Sequence, residues 1–360
     1  MNLRHRTLDS LALGCVLLLT GASSVAAQAN QPLVVHGYLS QAFARSWGHG
    51  IAGIPTDGTL DYRAVALQFG YAMTDADRIV LQFSHRRMGN SVLEADGNQV
   101  RLDWAFYQRD MGDGLLRVGK VPLSRGLFNE IRDVGTALPF YRAPFFFYLE
   151  TGETLDGVSL DHRLFADRQW SLQAAVFGGE FDFEYADPDE EGTTLGRLRA
   201  RMVHGGQLWL ETPMPGTRIG AGGFRYREDG DSTEQFLTSW QLSAQTMYDR
   251  FNANAEFLSA GSSLYDFEAW YAQVGVHVIG NLTANLHWEG SAVTAYTPFG
   301  ELNVDFARDR AAGLTWLVRA NTALKLEYHW FRGYAVDTWV PFLAPPAKAR
   351  YLIASVAVGF

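Results

Sequence analysis

Cysteine is all but missing from this chain. The 360 residues contain one, Cys15, in a leader-like N-terminal stretch, so neither disulfides nor thiol chemistry can support the remainder. Long apolar runs are missing too. The longest, residues 11–20, is about half of the ~20 residues that a membrane-spanning helix needs, and no run of eighteen follows it. Basic charge is in deficit, with 30 Lys and Arg against 39 Asp and Glu and a net charge of −9, which gives no support to nucleic-acid binding. The histidines are scattered singly, without metal-ligand spacing, and neither Gly-x-Ser-x-Gly nor a phosphate-cradling glycine loop occurs. Together these absences predict no enzyme, no metal and no cofactor. His287 with Glu289, and His329 with Glu327, lie two apart and are expected to be ordinary polar neighbours on one strand face.

What is present begins with an export pattern. Arg4, His5 and Arg6 precede the apolar run, and small residues follow as Ser23-Ser-Val-Ala-Ala-Gln-Ala29. This is the order of a secretory signal peptide. Residues 1–27 are expected to be removed, with 28–360 forming one domain. The removed piece carries Arg4, Arg6 and Asp9, so the net charge becomes −10. The expected destination is the bacterial outer membrane, reached through the periplasm.

From residue 33 onward apolar and polar residues alternate with the two-residue period of a strand. Val65, Leu67, Phe69 and Tyr71 oppose Ala64, Ala66, Gln68 and Gly70. Leu282, Leu286 and Trp288 oppose Thr283, Asn285, His287 and Glu289. The apolar faces are rich in aromatics, drawn from 23 Phe, 15 Tyr and 10 Trp. Seven short turns, at 73–77, 110–114, 166–168, 212–216, 248–250, 280–281 and 320–322, alternate with eight longer connections. Those lie near 46–60, 88–97, 122–153, 179–204, 228–233, 261–266, 293–307 and 332–348. Regular alternation of short and long connections belongs to a transmembrane antiparallel β-barrel, here of about sixteen strands. A soluble sandwich has no reason to alternate them. In 186–205, Leu195, Leu198 and Met202 recur at helical spacing and predict a short helix in the fourth long connection; strand over 194–204 would leave the count unchanged.

The last residues, Arg350–Phe360, put Leu352, Ala354, Val356, Val358 and Phe360 on one face and Ile353, Ser355, Ala357 and Gly359 on the other. This suits a closing barrel strand, apolar toward lipid and small toward the lumen. With Phe360 last, and Val356 and Val358 before it on the same face, it also resembles the C-terminal assembly signal of outer-membrane proteins.

The third long connection, 122–152, is too long to be idle. It carries three prolines, an aromatic run and the charges Arg125, Glu130, Arg132, Asp133, Arg142 and Glu150. Here the chain resembles the bacterial porins, whose third extracellular loop folds inward and narrows the channel. Arg117-Val-Gly-Lys-Val-Pro-Leu-Ser-Arg-Gly-Leu-Phe-Asn-Glu-Ile-Arg-Asp-Val-Gly135 looks like the corresponding segment of uncharacterised porin-like proteins. The resemblance implies an aqueous pore for small hydrophilic solutes or ions, set in outer-membrane lipid and often a homotrimer. A sixteen-stranded barrel is wide enough to need such narrowing. Arg101, Arg109 and Arg117 have inward parity, with Arg86 near the rim, and Asp103 is the acidic neighbour expected on their wall. The remaining balancing carboxylates, Glu130, Asp133, Glu150 and Glu153, are expected on the loop, with a lean toward anions. An outer-membrane enzyme or an adhesion barrel is the alternative.

Overall fold

A computed structural model describes residues 32–360 except 92–98, 150–151, 167–168, 190–191, 230–234, 339 and 342–343. The expected signal peptide and Glu150 lie outside the described residues. Sixteen strands follow in chain order: β1 Leu33–Trp47, β2 Thr59–Ala72, β3 Asp77–Met88, β4 Arg101–Asp110, β5 Gly114–Pro122, β6 Thr154–Ala166, β7 Ser171–Asp189 and β8 Gly192–Glu211, then β9 Arg218–Asp229, β10 Gln235–Tyr248, β11 Phe251–Gly261, β12 Tyr265–Ile279, β13 Leu282–Thr297, β14 Gly300–Arg319, β15 Thr322–Gly333 and β16 Ala347–Gly359. Each pairs antiparallel with the next, and β16 returns to β1 from Tyr38↔Gly359 to Trp47↔Arg350, closing the barrel. Closure leaves no unpaired edge, so the strand backbones are satisfied around the whole ring.

Polarity is inverted relative to a water-soluble barrel. The outward face exposes large apolar residues on nearly every strand, including Leu67, Phe83, Val176, Leu242, Leu286, Leu314 and Leu326. Exposed aromatics gather toward both rims: Tyr71, Phe165, Tyr248, Phe251 and Trp316 at the short-turn end, Trp47, Phe236, Trp240 and Trp330 toward the other. The inward face buries polar side chains instead, among them Gln82, Ser84, Gln241, Glu256, Gln273, Asn285, Glu289, Asp309 and Lys325. An apolar exterior this extensive is unstable in water and suits hydrocarbon. No described helix is long and apolar enough to cross a membrane, so any crossing is made by strands.

Three expectations are corrected. The stretch predicted as a helix within 186–205 is extended: β7 and β8 form one long hairpin, paired from Ser171↔Glu211 to Asp189↔Gly192. Cross-strand hydrogen bonds satisfy that backbone, while Gly192, Thr193, Thr194 and Gly196 weaken any helix there. The apparent helical spacing ends at a bulge between Arg201 and His204, where Met202 takes a left-handed φ of 54°. The connections expected at 179–204 and 293–307 are likewise strand over most of their length.

The third correction concerns Arg109. A bulge in β4 opposite Gln82 and Phe83 pairs these residues with Trp104 and Leu102 and leaves Asp103 between them. One extra residue reverses the facing of everything beyond it. Asp103 is buried inside, then Phe106 is buried inside, and Arg109 falls outside, its side chain 55% exposed beside Asp77 at 3.4 Å.

Candidate functional site

The connection between β5 and β6 touches interior side chains of β1–β3, β5 and β11–β16. Its ordered turns are short: a 3-10 turn at Asn129–Ile131 and one helical turn, α1, at Phe145–Tyr148. With so little internal secondary structure its backbone needs other partners, and the barrel wall supplies them. Glu256 on β11 accepts from the Leu127 N–H at 3.1 Å, the Tyr148 hydroxyl, the Tyr271 hydroxyl at 2.6 Å and Ser243 Oγ at 2.5 Å. Glu289 on β13 accepts from the Phe146 N–H at 3.2 Å, and Glu327 on β15 from the Tyr141 N–H at 3.2 Å. Lys325 donates to the carbonyls of Gly135 and Phe140 at 2.5 and 2.7 Å. Thr315 donates to the Pro139 carbonyl at 2.8 Å. Gly135 rests directly on β1, where a Cβ would lie 2.1 Å from Ser40 Oγ. Four buried carboxylate or ammonium groups thus spend their charge on loop backbone, where unmet N–H and C=O groups would otherwise be costly.

Apolar contact completes the seat. Leu127, Phe128, Leu138, Phe146 and Phe147 pack with Tyr62, Leu258, Tyr271, Phe331 and Ile353 of the wall. Each such aromatic removes enough surface from water to contribute on the order of 1.5–3 kcal/mol.

The other flank of the loop is electrostatic. Arg86 on β3 bridges Asp133 at 2.6 Å and Glu153 at 2.5 Å, and Arg132 reaches Glu153 at 2.9 Å. These four side chains are at most 15% exposed. Gln82 and Ser84 carry the network on to Asp103. Burial alone would raise the Glu153 carboxyl, but Arg86 and Arg132 outweigh it and hold the group well below its ordinary 4.5. A depressed folded value means a stabilising contribution that is complete above 4.5 and lost as pH falls toward the folded value. The clamp is therefore expected to hold the loop protease-resistant at pH 5, and Arg132→Ala to move acid loosening upward in pH. Limited proteolysis across an acid series checks both.

The remaining expected residues separate into distinct roles. Arg125 is buried, donates to the Phe147 carbonyl and lies over the Phe147 and Tyr148 rings, so it knits the loop to itself. Desolvation lowers its pKa to about 10. Arg142 stacks on Phe145 at 4.7 Å and lines a cavity against β13, β15 and β16. Arg117, on the inner face of β5, lies 3.4 Å from Glu130 of the loop and 3.7 Å from Asp161 of β6. Glu130 is the exposed member, at 46% of its side chain. Arg101 faces Glu184 of β7 at 3.7 Å. Asp161 and Glu184 are wall carboxylates that single-strand parity missed, because strand neighbours supply them. Of the three arginines expected to face inward, Arg101 and Arg117 do so and Arg109 does not.

The same wall also carries an apolar patch that the sequence reading did not anticipate. Phe106, Phe177, Phe181, Tyr226 and Leu237 pack with Val121 and Leu123 on the inward faces of β4–β10.

No family model and no curated protein sequence matches the chain. Solved structures do. The outer membrane channel DcaP of Acinetobacter baumannii superposes with a TM-score of 0.62 at 10% identity, covering 91% of this chain and 97% of that one. OmpF of Salmonella typhi, solved with daunomycin, gives 0.61 at 11% identity over 91% and 97%. The trimer form of OmpT, an outer membrane protein of Vibrio cholerae, gives 0.59 at 11% identity over 91% and 99%. The fold is that of the bacterial porins.

Proposed function

We propose that this porin-fold barrel is an outer-membrane channel for passive diffusion of small polar solutes and ions, exported by its N-terminal segment and assembled as a homotrimer. The observation that carries the reading is the seating of the β5–β6 loop on buried interior carboxylates while its Glu130 stays exposed toward Arg117 and Asp161. A barrel of sixteen strands encloses an aqueous lumen unless something fills it, and the reading takes this loop to narrow that lumen. Opposed charges across the remaining gap orient dipolar solutes and discriminate ions. Diffusion through such a gap needs no covalent step, so the reading makes the protein no enzyme. The trimer rests on the trimeric form of the similar Vibrio cholerae protein.

Planar-bilayer recording in a salt gradient tests it. Arg117→Ala should leave Glu130 and Asp161 unopposed and move the reversal potential toward cations, with conductance raised. Glu130→Gln should move it the other way. A purified protein that forms no steady channels would overturn the function. A reversal potential unmoved by either substitution would place the narrowing elsewhere.

A further inference from the structure

A second polar cluster lies on β13 and β14, strands that carry none of Arg86, Arg117 and Asp161. His287 and Glu289 lie two apart on the inner face of β13, and the pairing of Glu289 with Asp309 brings a second carboxylate beside them from β14. One ligating atom from each of the three lies within 4.8 Å of the others. All three residues are at most 4% exposed.

The outer atoms of the carboxylates are already engaged. Asp309 Oδ2 accepts from His329 Nδ1 at 2.6 Å and from the Tyr351 hydroxyl at 2.5 Å. Glu289 Oε2 accepts from the Phe146 N–H of the loop at 3.2 Å. Asp309 Oδ1 and His287 Nδ1 are buried without any hydrogen-bond partner in the protein. His287 Nε2 and Glu289 Oε1 stand 3.5 Å apart, long for a hydrogen bond. Two ligands each about 2.1 Å from one tetrahedral ion stand roughly 3.4 Å apart. Three carboxylates, Glu289, Asp309 and Glu327, share this region with Lys325 and His329 of the wall and Arg142 of the loop.

From this the geometry points to a binding site for a divalent transition-metal ion of the zinc type, ligated by His287, Glu289 and Asp309. One imidazole and two carboxylates match the donor preferences of such ions. His329 and Tyr351 orient Asp309, as outer partners orient metal-bound carboxylates. Because the second oxygen of Glu289 holds the Phe146 N–H, a bound ion ties the β13–β14 wall to α1 and fixes that part of the loop. The site is independent of what the channel conducts.

The full chain, folded in detergent and stripped with chelator, should take up one Co2+ per molecule with visible absorption, and Zn2+ should displace it. The isosteric variants Glu289→Gln and Asp309→Asn should each weaken binding by at least about a hundredfold, whereas His277→Gln at the short-turn rim should leave it unchanged. Zinc-edge X-ray absorption of the unmodified protein should show one imidazole in an otherwise oxygen shell, a readout that needs no variant to fold. Failure of the unmodified chain to bind either ion would overturn the proposal. So would stoichiometric binding that persists in both variants, or a shell of several imidazoles.

Discussion

Arg86→Ala should release the loop. The substitution strips Asp133 of its cation and leaves Glu153 with Arg132 alone, at side chains no more than 15% exposed. Removing one partner of a buried ion pair costs about 3–5 kcal/mol, because the other charge stays desolvated. The anchors at Glu256, Glu289 and Glu327 lie on other strands and persist, so the barrel should stay closed while the segment around Asp133 loosens. Expected results are proteolytic cleavage near residues 129–135 and larger, noisier conductance. Asp133→Ala alone removes the complementary charge. In a double-mutant cycle the pair should couple strongly, since their effects share one bond. Loop protection in Arg86→Ala equal to that of the parent would show that the apolar seat of Phe146 and Phe147 suffices without the clamp.

Phe360→Asp, or deletion of Phe360, should sharply reduce the amount of closed barrel. Phe360 exchanges backbone hydrogen bonds with Gly37, each 2.9 Å, and its ring, 63% exposed, covers that glycine on the outside. A Cβ at residue 37 would lie 2.1 Å from the ring, so Gly37→Leu should displace Phe360 and act in the same direction. A charge on the lipid face costs up to about 2–4 kcal/mol at mid-membrane and less toward the rim. Near this end of β16 the loss of strand closure is the larger contribution, since β1 and β16 would both become open edges. Heat-modifiable mobility of the membrane fraction reports the closed form. Undiminished heat-modifiable protein in both variants would show that the ladder from Leu39↔Val358 to Trp47↔Arg350 holds the ring without its last residue.

The sequence by itself determined the number of strands, the short turns and which face of most strands is apolar, because a strand's two-residue period is local. The Leu352–Phe360 series reads the same way on the page as in the barrel, and so do Val65–Tyr71 and Leu282–Trp288. It also singled out residues 122–152, by their length, prolines, aromatics and charge and by their resemblance to the third loop of porins. Its errors have one cause: each depends on what lies beside a strand. The β4 bulge is set by pairing with β3, and it turned outward the Arg109 that unbroken alternation placed inward. The extended hairpin of β7 and β8 displaced a helix because cross-strand bonds, absent from any local pattern, satisfy the backbone there. Asp161 reaches Arg117 from β6, and Asp309 joins His287 and Glu289 from twenty residues further along the chain. Spacing along one strand cannot disclose a cluster whose members come from neighbouring strands. Only closure of the barrel, with the loop laid across its interior face, decides which charges meet.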